Sequence, residues 1–143
     1  MKDLAGFFGW ISAIGYGGAL LNFFIKYINK KYIVKLSKDK KKFVNYYRIL
    51  MRFVVKYHRY FGIIGSIAVI VHFIIMFNVE GLSITGIIAA GTMWIVFLLG
   101  IYGTYINKNV RGNWVKIHRS LAFILIIMLF IHLVFKESFI IRF

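Results

Sequence analysis

The sequence predicts an all-α protein: an integral-membrane four-helix up-and-down bundle with both termini on the extracytoplasmic side. Three observations predict it. The chain is 61% hydrophobic. Three long charge-free apolar runs, and a fourth near the N-terminus, each approach the roughly 20 residues that cross a bilayer core. The basic residues cluster between the runs rather than within them. The length of 143 residues suits one four-span domain.

The predicted spans are residues 4–25, 57–78, 84–106 and 117–135. The first resembles a secretory leader in position. It lacks a basic lead-in beyond Lys2 and has glycines scattered through it, so it is retained as a span. With no proline in the chain, the helices are expected to be straight. With no cysteine, disulfides, cysteine-ligated clusters, thioether-attached haem and thiolate catalysis are excluded.

The net charge of +15 alone would suit nucleic acid. Its placement argues against such a partner. Most Lys and Arg fall between Lys26 and Arg59, with a second group at Lys108, Arg111, Lys116 and Arg119; only Lys2, Lys136 and Arg142 lie on the other side. Excess Lys and Arg marks the cytoplasmic face, here expected to be that of a prokaryotic cytoplasmic membrane. The basic loop 26–56 is expected to bind anionic membrane lipid, and a docking surface for an acidic protein is the sharper alternative. Within it, Arg48, Arg52 and Lys56 recur every four residues and share a helical face. Residues 43–56 either extend the second helix or lie in the interface as a helix of their own.

A weak internal repeat suggests two similar hairpins. "YINK" closes the first span at Tyr27–Lys30 and the third at Tyr105–Lys108. "K-x-H-R" opens the second at Lys56–Arg59 and the fourth at Lys116–Arg119. Trp10-Ile11 and Trp94-Ile95 correspond loosely.

The four histidines carry the chemistry. His58 and His72 are fourteen residues apart, as are His118 and His132. Fourteen residues rise about 21 Å and stop about 40° short of four turns, so each pair shares a helix face. The second and fourth spans run in the same direction. His58 and His118 therefore share one depth, and His72 and His132 another. An imidazole in lipid needs a partner, and hydrogen bonding between helices is the plain explanation. A proton relay would need carriers, yet no Asp or Glu lies within the spans. Metal binding explains two depth-matched pairs better. Two imidazoles from opposite sides suit haem iron, whose porphyrin supplies the remaining ligands, whereas bare zinc would want more ligands than either depth offers. Two haem b groups are therefore expected, stacked across the membrane.

Small residues leave room for porphyrin edges. Gly62 follows His58 by one turn, and Ala122 follows His118 likewise. Gly86 and Gly100 on the third span are fourteen apart, as are Ala89 and Gly103. The glycines of the first span fit either ring clearance or plain helix packing. Arg59 and Arg119 follow the cytoplasmic-side histidines, placed either to grip haem propionates or to snorkel to headgroups.

This pattern resembles the di-haem transmembrane cytochromes b. "IHRSLAFILIIMLFIHLVF" is similar to the haem helices of the four-helix cytochrome b core of respiratory and photosynthetic complexes, and b561-type and ferric-reductase-type membrane proteins share the two-pair logic. The resemblance covers most of the chain as architecture and the two histidine helices as motif. It implies that His58 and His118 ligate a cytoplasmic-side haem iron and His72 and His132 an outer one, with Gly62, Gly86 and Gly100 clearing the rings. The loop "NKNVRGNWVK" is far shorter than the one that helps build the outer quinol site in that family, and the chain has no room for attached flavin or nicotinamide domains.

The expected function is transmembrane electron transfer, as an electron-transfer subunit of an oxidoreductase system more than a stand-alone enzyme. Candidate partners are a quinol or an acidic cytoplasmic flavoprotein or ferredoxin as donor, and an extracytoplasmic redox acceptor. The alternatives are a non-redox anchor or assembly subunit, and a small histidine-dependent metal or proton transporter.

Overall fold

The computed structural model describes residues 1–135 and 140–141. Lys136 and Arg142, assigned above to the sparsely charged side, lie outside the described residues. The backbone forms four long helices: α1 (Lys2–Lys31), α2 (Lys41–Val79), α3 (Ile84–Tyr105) and α4 (Asn113–Phe135). Each is long and apolar enough to cross a membrane, and together they make an all-α transmembrane four-helix bundle.

Helix α2 has 39 residues and would rise about 58 Å, well beyond a hydrocarbon core of about 30 Å. Its extra length settles the choice left open for residues 43–56: they continue the second helix toward the basic side. Only residues 32–40 remain as a connection, held by two short 3-10 turns at Ile33–Lys35 and Lys38–Lys40. The basic segment 26–56 is thus mostly helix. Helices α1 and α4 likewise overrun their predicted spans, to Lys31 and back to Asn113.

The turn between α2 and α3 passes through Gly81 at φ 97°, a left-handed conformation that a side chain would strain. Ser83 then caps α3 by accepting from the Gly86 N–H. Two-residue strands follow the same edge: β1 (Leu82–Ser83) pairs antiparallel with β2 (Ile140–Ile141), Leu82 opposite Ile141 and Ser83 opposite Ile140. The Lys2 ammonium lies 2.7 Å from the Glu80 carboxylate and ties the start of α1 to this corner.

The helices pack chiefly as two hairpins, α1 along α2 and α3 along α4. At the first crossing the backbones nearly touch. A Cβ on Gly15 would lie 3.0 Å from Gly65 Cα and 3.1 Å from the Phe61 carbonyl oxygen. Large apolar side chains such as Phe7, Trp10, Ile67, Ile95, Leu98, Phe130 and Leu133 face outward. A water-soluble domain would bury them; lipid makes that unnecessary.

The packed centre is small. Leu125 is fully enclosed, and it joins Tyr16 and Met93, with Val69 and Leu129 against them. The Tyr16 hydroxyl donates to the Ala122 carbonyl, fastening α1 to α4. Ser12 Oγ lies 3.7 Å from Met93 Sδ, tying α1 to α3.

Candidate functional site

The centre divides the histidines into two layers. Gly65 is seven residues from both His58 and His72, and Leu125 seven from both His118 and His132. The two facing pairs expected from the sequence are present in the structure. The His58 and His118 ring centroids are 6.4 Å apart at an interplanar angle of 76°. Those of His72 and His132 are also 6.4 Å apart, at 82°. The equal depths require α2 and α4 to run parallel.

Each imidazole is anchored by Nδ1 to the neighbouring helix of its own hairpin. His58 Nδ1 lies 2.9 Å from the Ala19 carbonyl oxygen, and His72 Nδ1 lies 2.8 Å from that of Ala5. His118 Nδ1 lies 3.0 Å from the Val96 carbonyl oxygen. A carbonyl can only accept, so in these three rings Nδ1 carries the proton and the neutral ring keeps its lone pair on Nε2. This is the usual arrangement behind a metal-ligating histidine. His132 differs: its Nδ1 lies 3.1 Å from Thr85 Oγ1, which is itself 3.1 Å from Ser83 Oγ. A hydroxyl accepts or donates, so both tautomers of His132 are satisfied there.

Glycines of α1 and α3 lie against the imidazoles. A Cβ on Gly9 would come 3.1 Å from His72 Nδ1, and one on Gly86 3.1 Å from His132 Cε1. On Gly100 it would lie 3.7 Å from His118 Cε1. Gly86 and Gly100 therefore seat the histidine rings. Beside Gly62 there is open space, and a Cβ added there would meet nothing within 4 Å. Gly103, grouped with Ala89 as ring clearance, is instead covered by the Trp114 indole. That indole stands 6.4 Å from the His118 ring and donates to the Asn109 carbonyl.

Both arginines are exposed. Arg119 lies with its guanidinium carbon 5.9 Å from the Phe23 ring centre, on the α1 side. On α1, one turn beyond Ala19, Asn22 holds a buried Oδ1 with no hydrogen-bond partner, a group that calls for a ligand or water.

Among the described residues, no cluster of three or more His, Cys, Asp or Glu side chains could hold a bare metal ion. The donor set at each depth is two imidazoles. An imidazole nitrogen sits about 1.15 Å from its ring centre and a metal–imidazole bond is about 2.0 Å. Two rings on opposite sides of one metal would thus have centres about 6.3 Å apart, close to the separation of both pairs. The residues fit a group that brings its own equatorial ligands.

Sequence reasoning passed over Thr85, the Ala5, Ala19 and Val96 carbonyls, and the specific contact of Gly9. A signal existed for some of these: Ala5 and Ala19 are also fourteen apart. No protein-family model matches the chain, and it matches no curated protein and no solved structure.

Proposed function

We propose that the bundle is a small membrane cytochrome b that carries electrons across the bilayer through two bis-histidine b-type haems. The observation that supports this reading best is the duplicated pair of imidazoles with ring centres 6.4 Å apart, with Nδ1 anchored in three of the four rings so that Nε2 would be the nitrogen offered to a metal. In this reading His58 and His118 hold one haem on the basic side, and His72 and His132 hold the other.

Haem, when bound, supplies one-electron chemistry at iron. The protein supplies the rest. The Ala19, Ala5 and Val96 carbonyls and the Thr85 hydroxyl orient the rings and raise their basicity as ligands. Gly9, Gly86 and Gly100 let α1 and α3 close on the imidazoles. Tyr16, Met93 and Leu125 fill the layer between the sites and exclude water from it. With two histidines of the protein holding each iron, the group would favour electron transfer over capture of small ligands.

The basic face is the cytoplasmic one under this reading. It suits an acidic flavoprotein or ferredoxin as electron partner, with a quinol as the membrane-borne alternative and a redox carrier on the opposite side. A prokaryotic cytoplasmic membrane is the proposed setting. The chain then acts as the electron-transfer subunit of an oxidoreductase system.

The test is transfer itself. Haem-loaded protein in sealed vesicles enclosing ferricyanide should pass electrons from external dithionite, and His72→Ala should abolish the transfer. Transfer no faster than in empty vesicles would contradict the proposal.

A further inference from the structure

The basic side also holds a cleft lined by none of the histidines, although Lys26 lies within electrostatic reach of His58. Where the end of α1 passes the extension of α2, a cleft of about 510 Å³ opens between Lys26, Asn29, Met51, Arg52, Val55 and Lys56. Three of these residues are cations and none is an acid. Asp3, Asp39 and Glu80, the acidic residues among those described, are not in its lining. Arg119 adds a further positive charge within electrostatic reach of Lys26. Like charges gathered without a counter-ion repel one another, so an anion would stabilise the cleft.

Two more features narrow the anion. Asn29 Oδ1 is buried with no hydrogen-bond partner. Oxygen and nitrogen of an amide are interchangeable by a flip, so the same side chain can offer N–H to an acceptor oxygen. Met51 and Val55 give the cleft an apolar wall. Its depth also matters: Lys26 follows the apolar run of α1 directly, and Lys56 precedes that of α2, which is the level of lipid headgroups.

We infer that this cleft binds the phosphodiester of an anionic phospholipid, with Lys26, Arg52 and Lys56 around the phosphate, Asn29 donating to it, and the start of an acyl chain against Met51 and Val55. Basic pockets between helices on this side of a membrane suit such headgroups. The site does not depend on haem, so it stands or falls separately from the function proposed above.

The test counts phosphatidylglycerol retained by the full chain in detergent, by native mass spectrometry, after exchange from vesicles of equal phosphatidylglycerol and phosphatidylcholine. The double variant Lys26→Gln with Arg52→Gln removes two cleft charges. The double variant Lys41→Gln with Lys42→Gln removes the same charge from the same basic stretch outside the cleft. Helix content and thermal midpoint establish that both fold. The expected result is about a tenfold loss of phosphatidylglycerol affinity in the cleft variant relative to the control, with phosphatidylcholine unaffected. Equal losses in the two variants would overturn the site in favour of diffuse surface charge. Displacement of the lipid by millimolar inorganic phosphate would overturn the lipid assignment in favour of a free-phosphate site.

Discussion

His72 Nδ1 sits 2.8 Å from the Ala5 carbonyl oxygen, and His58 Nδ1 makes the same bond to Ala19. The residue numbers of each pair add to the same total, as two straight antiparallel helices in one register require. That register sets both imidazoles of α2 from a single alignment of α1. In the second hairpin it runs out. His118 bonds to Val96, and the corresponding position for His132 would be Leu82, before α3 begins at Ile84. Thr85 supplies a side-chain oxygen in its place.

Thr85 should therefore matter to one site only. Thr85→Val keeps the shape and removes the hydroxyl. Haem affinity at the His72–His132 site should fall on the order of tenfold, the usual effect of losing a partner behind a metal-bound histidine, while the His58–His118 site stays unchanged. Thr85→Ser should restore binding. Site-resolved haem titration checks this; equal weakening of both sites would assign Thr85 a merely structural role.

The two sites should be separable by their ligands. His58→Ala should halve the haem content of purified protein and leave the remaining haem low-spin with two histidines. His132→Ala should remove the other half. Pyridine haemochrome assay and absorption spectra read both. Full haem content in either variant would mean that the altered histidine is not a ligand.

Leu125 is the largest fully buried side chain among the described residues. Leu125→Ala leaves a cavity between the two histidine layers. In lipid, separated helices expose leucine to acyl chains rather than to water, so the packing loss dominates. A cost of about 2 kcal/mol is expected, at the low end for leucine truncation, read by thermal or denaturant unfolding in detergent.

Two glycines should resist substitution for different reasons. Gly15→Ala drives a methyl into the Gly65 and Phe61 backbones, which cannot retreat without separating α1 from α2. A loss of about 1–3 kcal/mol is expected from such overpacking. Gly81→Ala strains a left-handed turn at φ 97° and should cost about 1 kcal/mol. By contrast Gly62→Ala meets open space and should leave stability intact. Under the haem reading it should impair haem uptake if the ring edge lies there.

An acidic carrier docking on the basic face should reduce the protein more slowly as salt rises, because exposed charges are screened beyond about 10 Å at 0.1 M. Stopped-flow reduction across a salt series measures this. A salt-independent rate would place the docking elsewhere.

Much of this arrangement is legible in residue spacing. Helix length, apolar runs and the fourteen-residue period act along single helices, where 3.6 residues per turn is a reliable ruler. The pairing of His58 with His118 needs only the further step that α2 and α4 run parallel. What the spacing does not carry is contact between helices. The small residues of α3 were recognisable as clearance and those of α1 as either clearance or plain packing, and their tasks differ: Gly9 meets His72, Gly15 meets Gly65, and Gly103 meets Trp114. Those assignments depend on helix rotation, which is set by packing rather than period. The extension of α2 through residues 43–56 was ambiguous because an amphipathic stretch with charges at Arg48, Arg52 and Lys56 suits a lipid interface and a protruding helix alike.

The central claim is that each histidine pair holds one haem iron. The most direct measurement is haem per chain on detergent-purified protein, together with oxidised and reduced absorption spectra. Two b haems per chain with low-spin bis-histidine spectra are predicted. Protein that binds no haem even when expressed with excess haem would contradict the account. The Nδ1–carbonyl bonds would then mark histidines that join helices in an anchor, or that serve metal or proton movement in a transporter.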